Sequence, residues 1–224
     1  MMNDVIIIMG ASQVAGTMPL YLQQLSSAGI PVHVEPYAWA HWIGRNGTLQ
    51  EKIEIYRQMA HRFREYERLV FTDAWDVTFY GTKEELIERI PNDRILLAAE
   101  KNCYPDPNIA PLVPDRGPWR FANGGAHCGT PEAYLAWCDA IDQTGYPNMI
   151  DQGWFNYLLS QNHPAMQIDH RTELFFCLFC GYEELEFIKG KPHNTLHDTH
   201  PLFVHANGKW DYTRMLLDYE ASLC

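Results

Sequence analysis

Hydrophobic residues recur along this chain in two alternating patterns. Short apolar runs, such as "DVIIIMG" at 4–10, "RLVFTD" at 68–73 and "RILLAAE" at 94–100, are typical of buried β-strands. The stretch "TLQEKIEIYRQMAHRF" at 48–63 instead repeats its apolar residues every three or four positions, which places them on one face of a helix. Strands that alternate with helices predict an α/β fold, with a mainly parallel central sheet flanked by helices.

Capping and turn residues predict the remaining elements. Thr48 with Glu51, and Thr82 with Glu85, have the spacing of capping boxes at helix starts. Residues 101–119 are rich in proline and asparagine, and a loop of that length inside a domain is usually functional or mobile. Further strands are predicted at 30–37, 165–170 and 201–208, and further helices at 18–29, 83–90, 130–141, 148–160 and 212–223. No repeat or linker divides the chain, so the prediction is one domain over residues 1–224.

Composition and charge narrow the classes of function. The chain has 224 residues and a formal net charge of -11, which disfavours a general affinity for nucleic-acid phosphates. No apolar run approaches the length needed to cross a bilayer, so no membrane partner is expected. The start "MMNDVIIIMG" lacks the basic region of a signal peptide, which makes the cytoplasm the expected location.

Cysteine usage adds one possible metal motif. The pair in "CLFC", Cys177 and Cys180, has zinc-like spacing, but it lies in an aromatic run and no second pair accompanies it. Buried free thiols are therefore the favoured interpretation.

Polar side chains cluster where the predicted strands end. Ser12 follows the first strand, Asp73 and Asp76 follow the third, Glu100 ends the next, and His205 with Asn207 ends the late one. Ligands of open α/β sheets bind outside the carboxyl ends of the strands. These side chains are thus candidates for one site.

Asp73 and Asp76 suggest a cation. On a turn after a strand, two ionised carboxylates that converge repel each other unless a cation or a proton neutralises them, and Mg²⁺ or Mn²⁺ prefers such oxygen ligands. A site that also included His205 would favour Mn²⁺. The alternatives are that one aspartate caps the turn while the other faces water, and that His205 is a hydrogen-bonded core residue.

Six segments in order resemble one known family. They are similar to the glycosyltransferase domain of procollagen lysyl hydroxylases and related procollagen galactosyltransferase-like proteins, over about residues 5–209. The segments are "FTDAWDVTFYG", "LLAAEKNCYPD", "RFANGGAHCG", "IDQGWFNYLL", "QIDHRTELFF" and "PLFVHANG". The resemblance implies a GT-A fold, a Rossmann-like sheet that binds a UDP-sugar with Mn²⁺.

The resemblance also implies roles for matching residues. Asp73, Asp76 and His205 match metal ligands. Trp75 replaces a tyrosine of the family pattern, where its ring would either stack on the uracil or simply pack between the two aspartates. Asp151 and Gln152 match an acidic helix start beside the sugar, although the family's acidic run is longer. A carboxylate there would take a proton from the acceptor hydroxyl or stabilise positive charge on the anomeric carbon, so these two residues and Asn123 are the catalytic candidates. Asn123, Gly124 and Gly125 fit a tight backbone passage next to the donor sugar, where the asparagine amide would hold hydroxyls. The remaining nucleotide or sugar contacts implied are Ala11, Ser12, Lys52, Glu100, Asn207, Gly208 and Lys209.

Simpler interpretations of these residues stay open. Lys52 would otherwise be a solvated helix lysine, Glu100 a partner of an arginine, and Asn123–Gly125 an ordinary turn. Asp151 would otherwise only complement the dipole of its helix.

The implied function is transfer of a hexose from a UDP-sugar to a hydroxyl acceptor. The acceptor is a hydroxylated protein side chain, a glycan or a hydroxylated nucleobase, and the acidic balance argues mildly against DNA. Two alternatives remain, a metal-dependent phosphoesterase or nucleotide-sugar hydrolase, and a sugar-nucleotide-binding protein without turnover.

Overall fold

The computed structural model describes residues 3–36, 49–144, 150–208 and 212–223. The strands are β1 (Asn3–Gly10), β2 (Val32–Glu35), β3 (Tyr66–Thr72), β4 (Val77–Phe79), β5 (Ile95–Glu100), β6 (Phe121–Gly129), β7 (Met166–Ile168), β8 (Phe175–Cys177), β9 (Leu185–Ile188), β10 (Lys191–Asn194) and β11 (Phe203–His205). The helices are α1 (Met18–Ser27), α2 (Leu49–Arg62), α3 (Lys83–Arg89), α4 (Pro131–Thr144), α5 (Asp151–Ser160) and α6 (Tyr212–Ala221), with 3₁₀ turns at Pro107–Leu112 and Tyr182–Glu184.

Within these residues a six-stranded sheet forms the centre, in the order β2-β1-β3-β6-β5-β7. The pairs β1–β2, β1–β3 and β5–β7 are parallel, as the alternating pattern predicts. Strand β1 is the clearest case, because Val5–Met9 are all buried and such runs are typical of a sheet covered on both faces. The predicted α/β fold is confirmed.

Strand β6 departs from the prediction and shapes the site. Its segment, expected as a tight backbone passage or turn, is a strand that runs antiparallel to both β3 and β5. It therefore begins at the edge where β1, β3 and β5 end. Leu97 pairs with His127 and Ala99 with Ala122, so residues 123–126 of β6 lie opposite the single β5 residue Ala98. This irregularity places Asn123, Gly124 and Gly125 at the carboxyl edge of the sheet.

A smaller sheet, β4-β11-β8, lies beside that edge. Its strands have three residues each, too short for sequence periodicity to reveal β4 and β8. In the register of β4 with β11, Val77 pairs with His205. Because Val77 follows Asp76 directly, this pairing brings His205 close to Asp73 and Asp76.

The helix caps agree with the sequence where they are described. Thr82 and Glu85 form the predicted capping box of α3, whereas Thr48 lies outside the described residues. Asp151 is the first residue of α5 and is buried. No described helix has the length and hydropathy required to cross a bilayer.

The described cysteines are free thiols. Cys177 is buried as expected, but Cys180 is exposed, so the predicted burial of the "CLFC" pair is wrong for its second member. Burial raises the pKa of the Cys177 thiol to about 11, which keeps it protonated at neutral pH.

Candidate metal and nucleotide-sugar site

Asp73, Asp76 and His205 converge at the carboxyl edge of the sheet. One ligand atom from each lies within 4.8 Å of the others. His205 Nε2 is 3.4 Å from Asp73 Oδ2 and 3.4 Å from Asp76 Oδ1. The backbone fixes this arrangement, because the Ala206 N–H donates to the Asp76 carbonyl (2.8 Å) and the Asp73 N–H donates to that of Gly125 (2.7 Å). The predicted convergence is confirmed, while the role of these residues as metal ligands stays a prediction.

The chemistry of this cluster fits a divalent cation. Within the described part of the chain, His205 Nε2 is buried and has no hydrogen-bond partner. Burial lowers the pKa of His205, but the charge of Asp76 and the closeness of the Asp73, Asp76 and Cys177 side chains to the ring outweigh it and raise that pKa well above its usual value. The two carboxylates therefore favour a positive charge between them, which a proton or a metal ion can supply.

A glycine makes the close approach of these side chains possible. A Cβ at Gly125 would lie 2.1 Å from His205 Cε1 and 2.6 Å from Asp73 Oδ2, closer than real carbon atoms come. Gly125 was predicted only as part of the backbone passage beside the donor sugar, and its contact with the candidate metal ligands was not predicted.

Glu100 lies under the cluster and is held by carboxamides rather than by an arginine. It is 3% exposed. Its Oε2 accepts hydrogen bonds from Asn123 Nδ2 (3.0 Å) and Asn207 Nδ2 (2.9 Å), and its Oε1 accepts one from Gln152 Nε2. Burial raises the pKa of Glu100 above its usual value, and these hydrogen bonds oppose that effect because they stabilise the ionised form. Among the described residues, carboxamides take the place of the arginine that the alternative interpretation required.

Asp151 is oriented by donors from two helices. Its Oδ2 accepts a hydrogen bond from the Tyr56 hydroxyl (3.0 Å) and forms an ion pair with Lys52, and its Oδ1 accepts from the Gln152 N–H (2.9 Å). Burial and the charge of Asp151 raise the pKa of Tyr56 well above its usual value, so this hydroxyl remains a donor. The Lys52 side chain is only 13% exposed, which excludes the interpretation of a solvated lysine.

Trp75 is held by the loop after β1. Its Nε1 donates to the Gln13 carbonyl (2.9 Å), and its own carbonyl accepts from the Thr17 N–H (2.7 Å). Gly16 has φ +58°, and a Cβ there would lie 1.9 Å from the Trp75 carbonyl oxygen. The indole N–H of Trp75 is therefore used within the protein.

One cleft of about 1050 Å³ is lined by the candidate metal ligands together with Lys52, Trp75, Glu100 and Asp151. Ala11, Ser12, Asn207 and Gly208 also lie on its wall, as expected, whereas Lys209 lies outside the described residues. Three aromatic residues of the wall were not predicted as site residues, since nothing in their local sequence pattern separates them from ordinary loop and helix residues. They are Tyr104, Phe179 and Tyr212.

A Rossmann-like sheet with two aspartates after β3 and a histidine at the end of β11, all at one cleft, is typical of the GT-A class of glycosyltransferase folds. The model of the PLOD GT domain family matches residues 5–221, and the chain belongs to this family. The solved glycosyltransferase involved in glycosylation of the major capsid of PBCV-1 superposes with a TM-score of 0.52, at 13% identity, over 98% of this chain and 100% of its own. That likeness supports the fold.

The curated relatives are much longer proteins than this chain. The human multifunctional procollagen lysine hydroxylase and glycosyltransferase LH3 is 26% identical over 186 residues, which is 75% of this chain and 24% of that protein. Human procollagen-lysine,2-oxoglutarate 5-dioxygenase 2 is 28% identical over 198 residues, 80% of this chain and 26% of its own. A Drosophila melanogaster procollagen-lysine,2-oxoglutarate 5-dioxygenase is 28% identical over 152 residues, 62% of this chain and 21% of its own. The chain thus spans about a quarter of the length of these relatives.

Proposed function

We propose that this chain is a Mn²⁺-dependent glycosyltransferase that moves a hexose from a UDP-sugar to a hydroxyl acceptor. The observation that carries the proposal is the cluster of Asp73, Asp76 and His205. The Nε2 atom of His205 is buried there and has no hydrogen-bond partner in the described part of the chain. An imidazole beside two carboxylates suits Mn²⁺ better than Mg²⁺, although Mg²⁺ can use the same oxygens. An ion held there would supply Lewis-acid stabilisation of the negative charge that develops on the leaving diphosphate.

The nucleoside would occupy the part of the cleft formed by the loop after β1. Ala11, Ser12 and Gly16 line it together with Trp75, whose ring face is suited to stacking on the uracil. Lys52 lies near Asp151 and carries a positive charge toward the cleft. Asn207 and Gly208 line the cleft beside His205, where a diphosphate would meet the metal site.

The sugar would lie against the start of β6 and the start of α5. Asn123 and Gln152 offer carboxamides there. Gly124 permits the close approach of the Asp151 side chain, because a Cβ at this position would lie 2.9 Å from Asp151 Oδ1. The Asp151 oxygens already accept hydrogen bonds from Tyr56 and the Gln152 N–H and pair with Lys52. This favours a role in which the fixed carboxylate stabilises positive charge on the anomeric carbon over one in which it removes the acceptor's proton.

Thermal unfolding tests nucleotide and metal binding together. With UDP and Mn²⁺ at about 100 times their dissociation constant, we expect a gain of about 2.7 kcal/mol in the free energy of unfolding, which raises the melting temperature by about 5–10 °C. UDP without Mn²⁺ should give a much smaller shift. An equal shift with and without Mn²⁺ contradicts the metal-dependent proposal.

Product analysis separates transfer from the two alternative functions. UDP-glucose and UDP-galactose are incubated with the protein, with and without a hydroxylysine peptide, glycans or a hydroxylated nucleobase. A transferase releases UDP faster when its acceptor is present, because the sugar then leaves to the acceptor rather than to water. Equal release with every acceptor would identify a hydrolase, and tight UDP binding without any release would identify a binding protein.

We expect Gly16→Ala to weaken UDP binding about tenfold, a loss of about 1.4 kcal/mol, because the new Cβ displaces the Trp75 backbone. Mn²⁺ affinity should be unchanged. Isothermal titration with UDP and with Mn²⁺ measures both quantities. Gly29→Ala is the matched control, since Gly29 also has a positive φ (+66°) but, among the described residues beyond its chain neighbours, no atom lies within 4 Å of its Cβ position. Equal UDP affinities in the two variants would contradict the assignment of Trp75 to the nucleoside.

A further inference from the structure

His205 is oriented by the carboxamide of Asn123, which can present either its accepting oxygen or its donating NH₂ group to the ring. Its Nδ1 lies 3.1 Å from Asn123 Oδ1. A carboxamide oxygen only accepts hydrogen bonds, so this contact places a proton on Nδ1 and leaves Nε2 facing Asp73 and Asp76. The amide turned by 180° would instead point its NH₂ group at the ring and oppose this arrangement.

Two neighbours determine which way the Asn123 amide points. The Gly125 N–H donates to Asn123 Oδ1 (2.8 Å), and Asn123 Nδ2 donates to Glu100 Oε2 (3.0 Å). A turned amide would bring its NH₂ against the Gly125 N–H and its oxygen against the Glu100 carboxylate. Asn123, Glu100 and His205 are 4%, 3% and 3% exposed, so bulk water does not readily replace these hydrogen bonds.

The carboxylate of Glu100 makes this selection strict, because both of its oxygens accept hydrogen bonds from NH₂ groups. A carboxylate accepts from every direction and donates in none, so each carboxamide around it must present NH₂ toward it. Asn207 obeys the same rule, because its Nδ2 donates to Glu100 while its Oδ1 accepts from the Phe179 N–H (3.0 Å). Gln152 also obeys it, because its Nε2 donates to Glu100 and its Oε1 accepts from the Gly124 N–H (3.2 Å).

We propose that Glu100 is a positioning residue that acts through Asn123 to hold His205 with its Nε2 directed at the metal site. This deepens the proposed function and rests on it. Glu100 then contributes to metal binding without being a ligand, by fixing one carboxamide whose oxygen fixes the imidazole. Its contacts with Gln152 and Asn207 would orient the neighbouring walls of the cleft in the same way.

A double-mutant cycle on the full chain tests this proposal, with Mn²⁺ binding measured by isothermal titration in the absence of nucleotide. We expect Glu100→Gln to raise the Mn²⁺ dissociation constant about 10–100-fold, the usual effect of losing a residue that orients a ligand. Asn123→Ala should have a similar effect. In the Asn123→Ala background, Glu100→Gln should change the constant by less than about twofold, because the residue it acts through is gone.

Asp169→Asn is the matched control for burial. Asp169 is also a buried carboxylate with three hydrogen bonds, from the backbone N–H groups of residues 173–175, but it lies at the end of β7. We expect this variant to lower the melting temperature and to keep its Mn²⁺ affinity. A loss of Mn²⁺ affinity in Asp169→Asn equal to that in Glu100→Gln would mean that general destabilisation explains both, and would overturn the proposal.

The other outcomes each give a decision. If the wild-type chain does not bind Mn²⁺, the metal-dependent function fails and this proposal fails with it. If the wild type binds Mn²⁺ and Glu100→Gln binds equally well, only the positioning role is wrong. An equal loss from Glu100→Gln in both backgrounds would show that its charge acts directly on the metal rather than through Asn123. If Glu100→Gln does not fold, an unchanged Mn²⁺ affinity in Asn123→Ala still overturns the proposal.

Discussion

Asp73→Asn is expected to lower Mn²⁺-dependent UDP release from a UDP-sugar at least about a thousandfold. Asp73 and Asp76 each place an oxygen 3.4 Å from His205 Nε2, and the amide keeps the size of the side chain while it removes one negative charge. Loss of the ion removes the several kcal/mol that a Lewis acid contributes to the transition state, and about 4 kcal/mol corresponds to a factor of a thousand. UDP release measures the loss of activity, and Mn²⁺ titration measures the loss of metal affinity. We expect the same two losses in Asp76→Asn.

The matched control for this prediction is Asp198→Asn. It makes the same chemical change on a side chain that is 93% exposed, and Asn tolerates the positive φ (+53°) of this position. We expect wild-type UDP release and Mn²⁺ affinity in this variant. Circular dichroism establishes that both variants are folded. Wild-type activity of folded Asp73→Asn without added metal would exclude the metal site.

The sequence predicted those parts of the fold whose pattern is local. The buried run of β1 and the capping box of α3 depend on residues close in sequence, and both are present. The direction of β6 was not predictable in this way. It depends on which strands Phe121–Gly129 joins, and its pairing with β3 and β5 is a property of the whole sheet.

The candidate site was predicted where the chemistry is carried by residue type. Asp73, Asp76 and His205 were identified by strand-end position and by the family resemblance, and the structure brings them together. The contacts of Glu100 and Tyr56 were not predicted, because a glutamate in "AAE" and a tyrosine on an apolar helix face have many ordinary uses. Only the fold shows that Glu100 contacts three carboxamides and that Tyr56 donates to Asp151.

Gly125→Ala is expected to weaken Mn²⁺ binding strongly although it changes no charged or polar group. The new methyl group would lie 2.1 Å from His205 Cε1 and 2.6 Å from Asp73 Oδ2, so both side chains must move. The backbone cannot easily yield, because the Gly125 carbonyl accepts from the Asp73 N–H (2.7 Å) and a shift of β6 would carry Asp73 with it. We expect the Mn²⁺ dissociation constant to rise at least about 100-fold, as for loss of a ligand-orienting residue, and UDP release to fall as in Asp73→Asn.

Gly124→Ala is the matched control, because it is the same substitution at the adjacent residue. A Cβ at Gly124 would lie 2.9 Å from Asp151 Oδ1, so Gly124→Ala should disturb Asp151 rather than the metal site. We expect Mn²⁺ affinity within about threefold of wild type in Gly124→Ala, since its new contact does not involve the ligands, together with slower sugar transfer. If Gly125→Ala also kept wild-type Mn²⁺ affinity, a cation could not lie between Asp73 and His205. The metal would then have to bind elsewhere in the cleft.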